Sequence, residues 1–229
     1  MDRLNVIVAG AGSGIGASLL SELQKKEHVY PIGFSRSGNE LSEKKLESKN
    51  YSCDATNVES LEIFFKKYKN ENNKLDAIYF TLGNGLFKKI EEITNQELIS
   101  HFQLNVFSIF QILSLAKPLL FSSKSPFVCL VSSTAGKIGF PDSTAYSASK
   151  HAIAGLAKSL REEWKPNGIR VFTVYPGAIS TEIWEGRKNF SKKDMIEPEE
   201  FAKFLASFLD LHPSINIDES YVLPIKGIL

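Results

Sequence analysis

The chain has 229 residues, 43% of them hydrophobic and 23% charged, and its 27 Lys and Arg nearly balance 26 Asp and Glu. A net charge of +1 gives no electrostatic reason to expect nucleic acid or an anionic membrane as partner. No apolar stretch approaches the uninterrupted length of a transmembrane helix, and the N-terminus lacks the apolar core of a signal peptide, so a cytoplasmic protein is expected.

Short apolar runs rich in Val, Ile, Phe and Tyr are expected strands: 4–9, 29–34, 50–53, 75–80, 127–131, 169–175 and 221–223. Segments of helical spacing fall between them, at about 14–26, 57–69, 94–121, 144–165 and 198–210. Strand–helix alternation predicts one α/β domain over 1–229, a doubly wound parallel sheet of about seven strands with helices on both faces. Helix 94–121 is apolar on two stripes, one with Phe102, Val106, Ile109, Phe110 and Leu113, the other with Leu104, Ile112, Leu115 and Leu119. One sheet covers only one side of such a helix, so a homodimer or homotetramer is expected. Cys53 and Cys129 sit in strand-like runs and read as reduced core residues.

The first strand runs into a glycine-rich turn, Gly10-Ala-Gly12-Ser13-Gly14-Ile15-Gly16, and then a helix. Glycines allow close backbone approach, and a helix N-terminus offers unpaired N–H groups to a pyrophosphate. The second strand ends in Ser35-Arg36-Ser37, with no acid before Glu40. An acid there would hold the ribose 2′-hydroxyl of NAD(H), whereas Arg36 can hold a 2′-phosphate, so NADP(H) is favoured over NAD(H).

Tyr146 and Lys150 stand one helical turn apart on one face of the fourth of these helices. A free phenol has a pKa near ~10, and a neighbouring ammonium stabilises its phenolate, which suits proton exchange with a carbonyl or an alcohol. Ser133 follows the fifth strand, at the edge where parallel sheets place ligand sites.

Together these motifs resemble, in order and spacing, the short-chain dehydrogenase/reductase family of the compact single-domain kind. The resemblance implies Asn105, Ser133, Tyr146 and Lys150 as the catalytic set, with Lys150 also on the nicotinamide ribose and Asn105 ordering a water-linked relay to it. It implies Asp54, beside Ala55, on the adenine. It also implies Gly83 near the adenosine ribose, and Pro176, Gly177, Ile179 and Thr181 at the nicotinamide. The family's first threonine of the glycine turn is Ala9 here, which removes a hydroxyl that often ties the turn to the fourth strand. Its usual Asn-Asn-Ala-Gly is Phe80-Thr81-Leu82-Gly83, and its Asp-Gly-Gly ending is absent.

The expected activity is interconversion of a small carbonyl and its alcohol with NADP(H) and no metal. Residues 182–197 are expected to form a lid, with Trp184, Phe190 and Met195 lining an apolar pocket and Arg187, Lys188, Lys192 and Lys193 meeting an acidic group or a carrier protein, the equal alternative being a solvated loop with its apolar residues packed underneath. The competing functional readings are an NADP(H)-binding regulatory protein without turnover and an epimerase or dehydratase acting on nucleotide sugars. The latter needs a second C-terminal region for which the chain has little room.

Overall fold

A computed structural model describes residues 3–40, 46–185 and 191–228. Seven strands, β1 (Leu4–Ala9), β2 (Val29–Ser35), β3 (Asn50–Ser52), β4 (Ala77–Phe80), β5 (Phe127–Val131), β6 (Arg170–Pro176) and β7 (Glu219–Val222), form one parallel sheet in the order β3-β2-β1-β4-β5-β6-β7. The helices are α1 (Gly14–Gln24), α2 (Val58–Glu71), α3 (Asn95–Phe102), α4 (Ser108–Leu120), α5 (Thr144–Trp164) and α6 (Pro198–Ala206). The expected strands are all present, with ends displaced by a few residues.

Each inner strand is apolar on both faces because helices cover both. On β1, Ile7 and Ala9 face one layer with side chains of α2, α4 and α5, while Val6 and Val8 face the other with side chains of α1 and α6. β4 alternates in the same way: Ile78 and Phe80 enter the first layer, Ala77 and Tyr79 the second. Tyr79 is fully buried, and its hydroxyl donates to the Leu205 carbonyl of α6 at 3.0 Å, which satisfies the polar end of an otherwise apolar side chain. Both cysteines are buried free thiols in these layers, and burial raises both thiol pKa values, that of Cys53 to about 11.

The expected helix over 94–121 is present as an unbroken helical run, Asn95–Leu120, but it is not α-helical throughout. Thr94 caps α3 through a reciprocal pair with Glu97, but Gln103–Phe107 form a π-turn before α4 begins. A π-turn inserts one extra residue per turn and rotates all that follows. The apolar stripes therefore do not run straight through. Val106, Ile109, Ile112, Leu113 and Leu119 are buried, whereas Phe107 and Phe110 are 48% and 53% exposed. By length and apolar content Asn95–Leu120 could cross a membrane. Its packing against the sheet layer and the buried polar His101, Asn105 and Ser108 fit the core helix of a folded domain instead.

The strand order reverses direction between β1 and β4, and there the carboxyl ends of the two strands part. A cleft of about 1480 Å³ opens above them.

Candidate active site

At one end of the cleft β1 stops at Ala9 and the chain turns at Gly10 with φ +92°, a conformation that disfavours side chains. A Cβ there would lie 2.9 Å from the Leu82 nitrogen, and one at Gly16 would lie 2.0 Å from the Gly10 carbonyl oxygen. Gly16 is buried behind the turn, away from the cleft wall, so its part is to let α1 pack against the turn. Gly10, Gly12, Ser13, Gly14 and Ile15 line the cleft.

Ser13 occupies the N-cap of α1, where a serine usually accepts from the first turn. Here its hydroxyl makes no cap bond and the first turn carries no acid. The N-terminal N–H groups of α1 and the Ser13 hydroxyl are thus arranged to receive an anionic ligand.

The hydroxyl that Ala9 lacks is supplied from the opposite strand. Thr81, just past β4, donates its Oγ1 hydrogen to the Ala9 carbonyl at 2.9 Å and approaches the Gly10 carbonyl at 3.3 Å. Its backbone N–H also bonds to Ala9, at 3.0 Å. The tie between turn and fourth strand survives with its ends exchanged.

Ser35 and Arg36, at the end of β2, line the same end of the cleft. The Arg36 side chain is solvent-exposed, and the adjacent positions are serines rather than acids. Asp54 and Ala55 line the wall after β3, where Asp54 Oδ1 accepts from the Thr56 N–H and hydroxyl at 2.8 and 2.7 Å. This fixes the carboxylate plane.

At the other end lie Tyr146 and Lys150, on the same face of α5. The Lys150 Nζ is 5.7 Å from the Tyr146 ring centroid and donates to the Val131 carbonyl at 3.3 Å. Lys150 is 5% exposed, and burial lowers its pKa from the usual 10.5 to about 8. Ser132 donates to the Lys150 carbonyl at 3.1 Å and so pins α5 to the end of β5. Ser133 Oγ accepts from the Ala135 N–H at 3.1 Å, which leaves its own hydrogen to donate into the cleft it lines. Gly83, Pro176, Gly177, Ile179 and Thr181 complete the walls.

Asn105 stands apart from these. It is fully buried in the π-turn and does not line the cleft. Its Oδ1 accepts from the Asn84 N–H and its Nδ2 donates to the Asn84 carbonyl, each at 3.0 Å. This two-point pairing holds the peptide after Gly83.

Three residues of this network, Asn84, His101 and Ser149, had no signal of their own in the sequence. His101 is 2% exposed; its Nδ1 lies 2.9 Å from Asn84 Oδ1 and its Nε2 3.1 Å from Ser149 Oγ. Ser149 Oγ also donates to the Tyr146 carbonyl at 2.8 Å. Spacing offered one clue, since His101 precedes Asn105 by one helical turn and Ser149 lies within the turn from Tyr146 to Lys150. Phe87, also unforeseen, packs its ring 5.1 Å from that of Tyr146.

Of the segment 182–197, Glu182, Ile183, Trp184 and Glu185 line the cleft. Met195 is buried and does not line the cleft, so it does not form the pocket wall expected of it; the next residue, Ile196, is bridged to Ile179. Lys192 and Lys193 are exposed, and Arg187, Lys188 and Phe190 lie outside the described residues.

Residues 4–192 match the family model for short chain dehydrogenases. An uncharacterized oxidoreductase of Listeria innocua is 27% identical, the match covering 96% of this chain and 95% of that one. A tropinone reductase homolog of Arabidopsis thaliana is 30% identical over 79% of this chain and 61% of its own length. Among solved structures, an alcohol dehydrogenase from Thermococcus sibiricus complexed with 5-hydroxy-NADP superposes with a TM-score of 0.86 at 21% identity, covering 100% of this chain and 99% of the other. The chain belongs to the short-chain dehydrogenase family of oxidoreductases.

Proposed function

We propose that this protein interconverts a ketone or aldehyde and the corresponding alcohol, using NADP(H) in preference to NAD(H). The observation that carries the proposal is the convergence of Tyr146, Lys150 and Ser133 at one end of a cleft whose other end holds an uncapped helix N-terminus and Arg36. The missing acid after β2 supports the phosphorylated dinucleotide, as does the 5-hydroxy-NADP in the Thermococcus sibiricus relative.

In this reading the α1 N-terminus and Ser13 hold the diphosphate, Arg36 and Ser35 the 2′-phosphate, and Asp54 the adenine. Pro176, Gly177, Ile179 and Thr181 orient the nicotinamide, which when bound supplies or accepts the hydride. Ser133 donates a hydrogen bond to the substrate oxygen and sets it within reach of Tyr146. The phenol gives its proton to that oxygen during reduction and takes one back during oxidation. Lys150 stabilises the phenolate that remains, and a poorly solvated ammonium does this more strongly than an exposed one. Asn105 acts on the site through the Asn84 peptide. The exposed Phe107, at the end of the π-turn, and Phe110 of α4 support a homo-oligomer in which a second subunit covers that face.

The test is NADPH oxidation against a panel of ketones and aldehydes. Turnover with at least one carbonyl, lost in Tyr146→Phe while NADPH still binds, is the expected result. Turnover that survives in Tyr146→Phe removes the phenol from the mechanism. A protein that binds NADPH but turns over no member of the panel fits the regulatory reading instead.

A further inference from the structure

We propose that His101 is a positioning residue, whose neutral imidazole protonated on Nδ1 holds the Asn105 π-turn and the Tyr146–Lys150 turn of α5 in register. The inference rests on the reading of Tyr146 and Lys150 given above.

Its tautomer follows from the backbone. The Asn84 N–H can only donate and the Asn84 carbonyl can only accept, so the Asn105 amide has one orientation, with Nδ2 turned towards α5. That Nδ2 lies 3.2 Å from His101 Nε2 and 3.2 Å from Ser149 Oγ. One Nδ2 hydrogen goes to the Asn84 carbonyl and the other faces Nε2 and Ser149 Oγ, so a bare Nε2 can accept there, whereas an Nε2–H would set a donor against a donor. A neutral ring then places its hydrogen on Nδ1, 2.9 Å from an Asn84 side chain that presents its oxygen. Burial and the Lys150 charge both lower the His101 pKa, to about 4, in keeping with a neutral ring.

The ring thereby connects three elements. It bonds to the loop after β4 through Asn84, meets the π-turn through Asn105, and reaches α5 through Ser149, whose single hydroxyl hydrogen is shared between Nε2 and the Tyr146 carbonyl. Its centroid lies 6.2 Å from that of Tyr146. A π-turn lacks the regular ladder of an α-helix, so side-chain bonds carry more of the task of fixing its shape. His101 touches neither the cleft nor any reacting atom; it acts through the groups it holds.

The test compares the wild type with His101→Leu, His101→Gln and His101→Asn in NADPH-dependent carbonyl reduction, with long-range proton–nitrogen NMR on the wild type. Leucine fills the space but leaves polar groups without their partner, so kcat should fall by about tenfold to a hundredfold, with KM for NADPH within about twofold. Gln offers an acceptor near the Nε2 position and should recover most of kcat, whereas Asn does not reach it and should recover less. The NMR signature should show the hydrogen on Nδ1 and a bare Nε2 at pH 7. Equal kcat in all four proteins, or equal losses in Leu, Gln and Asn, overturns the proposal. Should His101→Leu not fold, the Gln against Asn comparison decides. A hydrogen found on Nε2 overturns the proposal independently of turnover. Absence of turnover in the wild type with every carbonyl tested counts against the reading of Tyr146 and Lys150, and the NMR result still stands or falls for His101.

Discussion

Replacing Lys150 by methionine should abolish carbonyl reduction and at the same time stabilise the dinucleotide-free protein. Lys150 is 5% exposed, and its pKa falls from 10.5 to about 8 because burial strips water from the ammonium. At about 1.36 kcal/mol for each unit of pKa, keeping that charge at neutral pH costs the fold about 3 kcal/mol. Methionine fills similar volume without a charge but gives up the bond to the Val131 carbonyl, worth about 1 kcal/mol. The net expectation is a gain of about 2 kcal/mol at pH 7, read as a higher urea midpoint with an unchanged slope. The pH dependence gives the cause away. Between pH 8 and 10.5 the unfolded chain holds the lysine proton and the folded one releases it, so wild-type stability climbs with pH in that window. The advantage of Lys150→Met should therefore shrink above pH 8, cross zero at roughly pH 9.5, and become a deficit of about 1 kcal/mol near pH 10.5, where only the lost Val131 bond remains. A variant no more stable than wild type at pH 7, or a gap that ignores pH, would refute this reasoning.

Three further outcomes are expected. Arg36→Ala should raise KM for NADPH about tenfold to a hundredfold, the loss of charge-assisted hydrogen bonds, and leave KM for NADH within about twofold; equal losses for both cofactors would contradict the 2′-phosphate role. Thr81→Val keeps the side-chain shape but cuts the tie to Ala9 and Gly10, so urea stability should drop by about 1 kcal/mol and NADPH should bind more weakly; a variant unchanged in both would mean the tie does not matter. The wild type should sediment as a dimer or tetramer and Phe107→Glu with Phe110→Glu as a smaller species; a wild type at monomer mass excludes the covered face.

The sheet was legible because inner strands buried on both faces must be apolar where they are covered, and β4, β5 and the buried Val6–Ala9 stretch of β1 are. The glycine turn and the Tyr146–Lys150 pair were legible because their spacing along the chain is also their spacing in space, and Ser133 because it directly follows the carboxyl end of an inner strand. What escaped was long-range. His101 and Ser149 are 48 residues apart in sequence, and Asn84 and Asn105 21, yet they share one hydrogen-bonded network. Apolar periodicity cannot announce the π-turn, because an inserted residue in an apolar helix still reads as an apolar helix. The exchange of the hydroxyl from position 9 to Thr81 was hidden for a related reason: a lost donor on one strand shows in the sequence, while its replacement on the neighbour shows only once the strands are paired. Met195 is buried beside the Ile179–Ile196 bridge, a contact that no local pattern encodes.

The most direct test follows a label. NADPH carrying deuterium at the transferable position of its nicotinamide is mixed with a carbonyl substrate in a single turnover, for wild type and Tyr146→Phe side by side. The account predicts deuterium on the new carbinol carbon with the wild type, and almost none with Tyr146→Phe although it binds NADPH within about twofold as tightly, since the phenol serves proton transfer rather than binding. Deuterium delivered at the wild-type rate by Tyr146→Phe, or lost to water by the wild type, would contradict it.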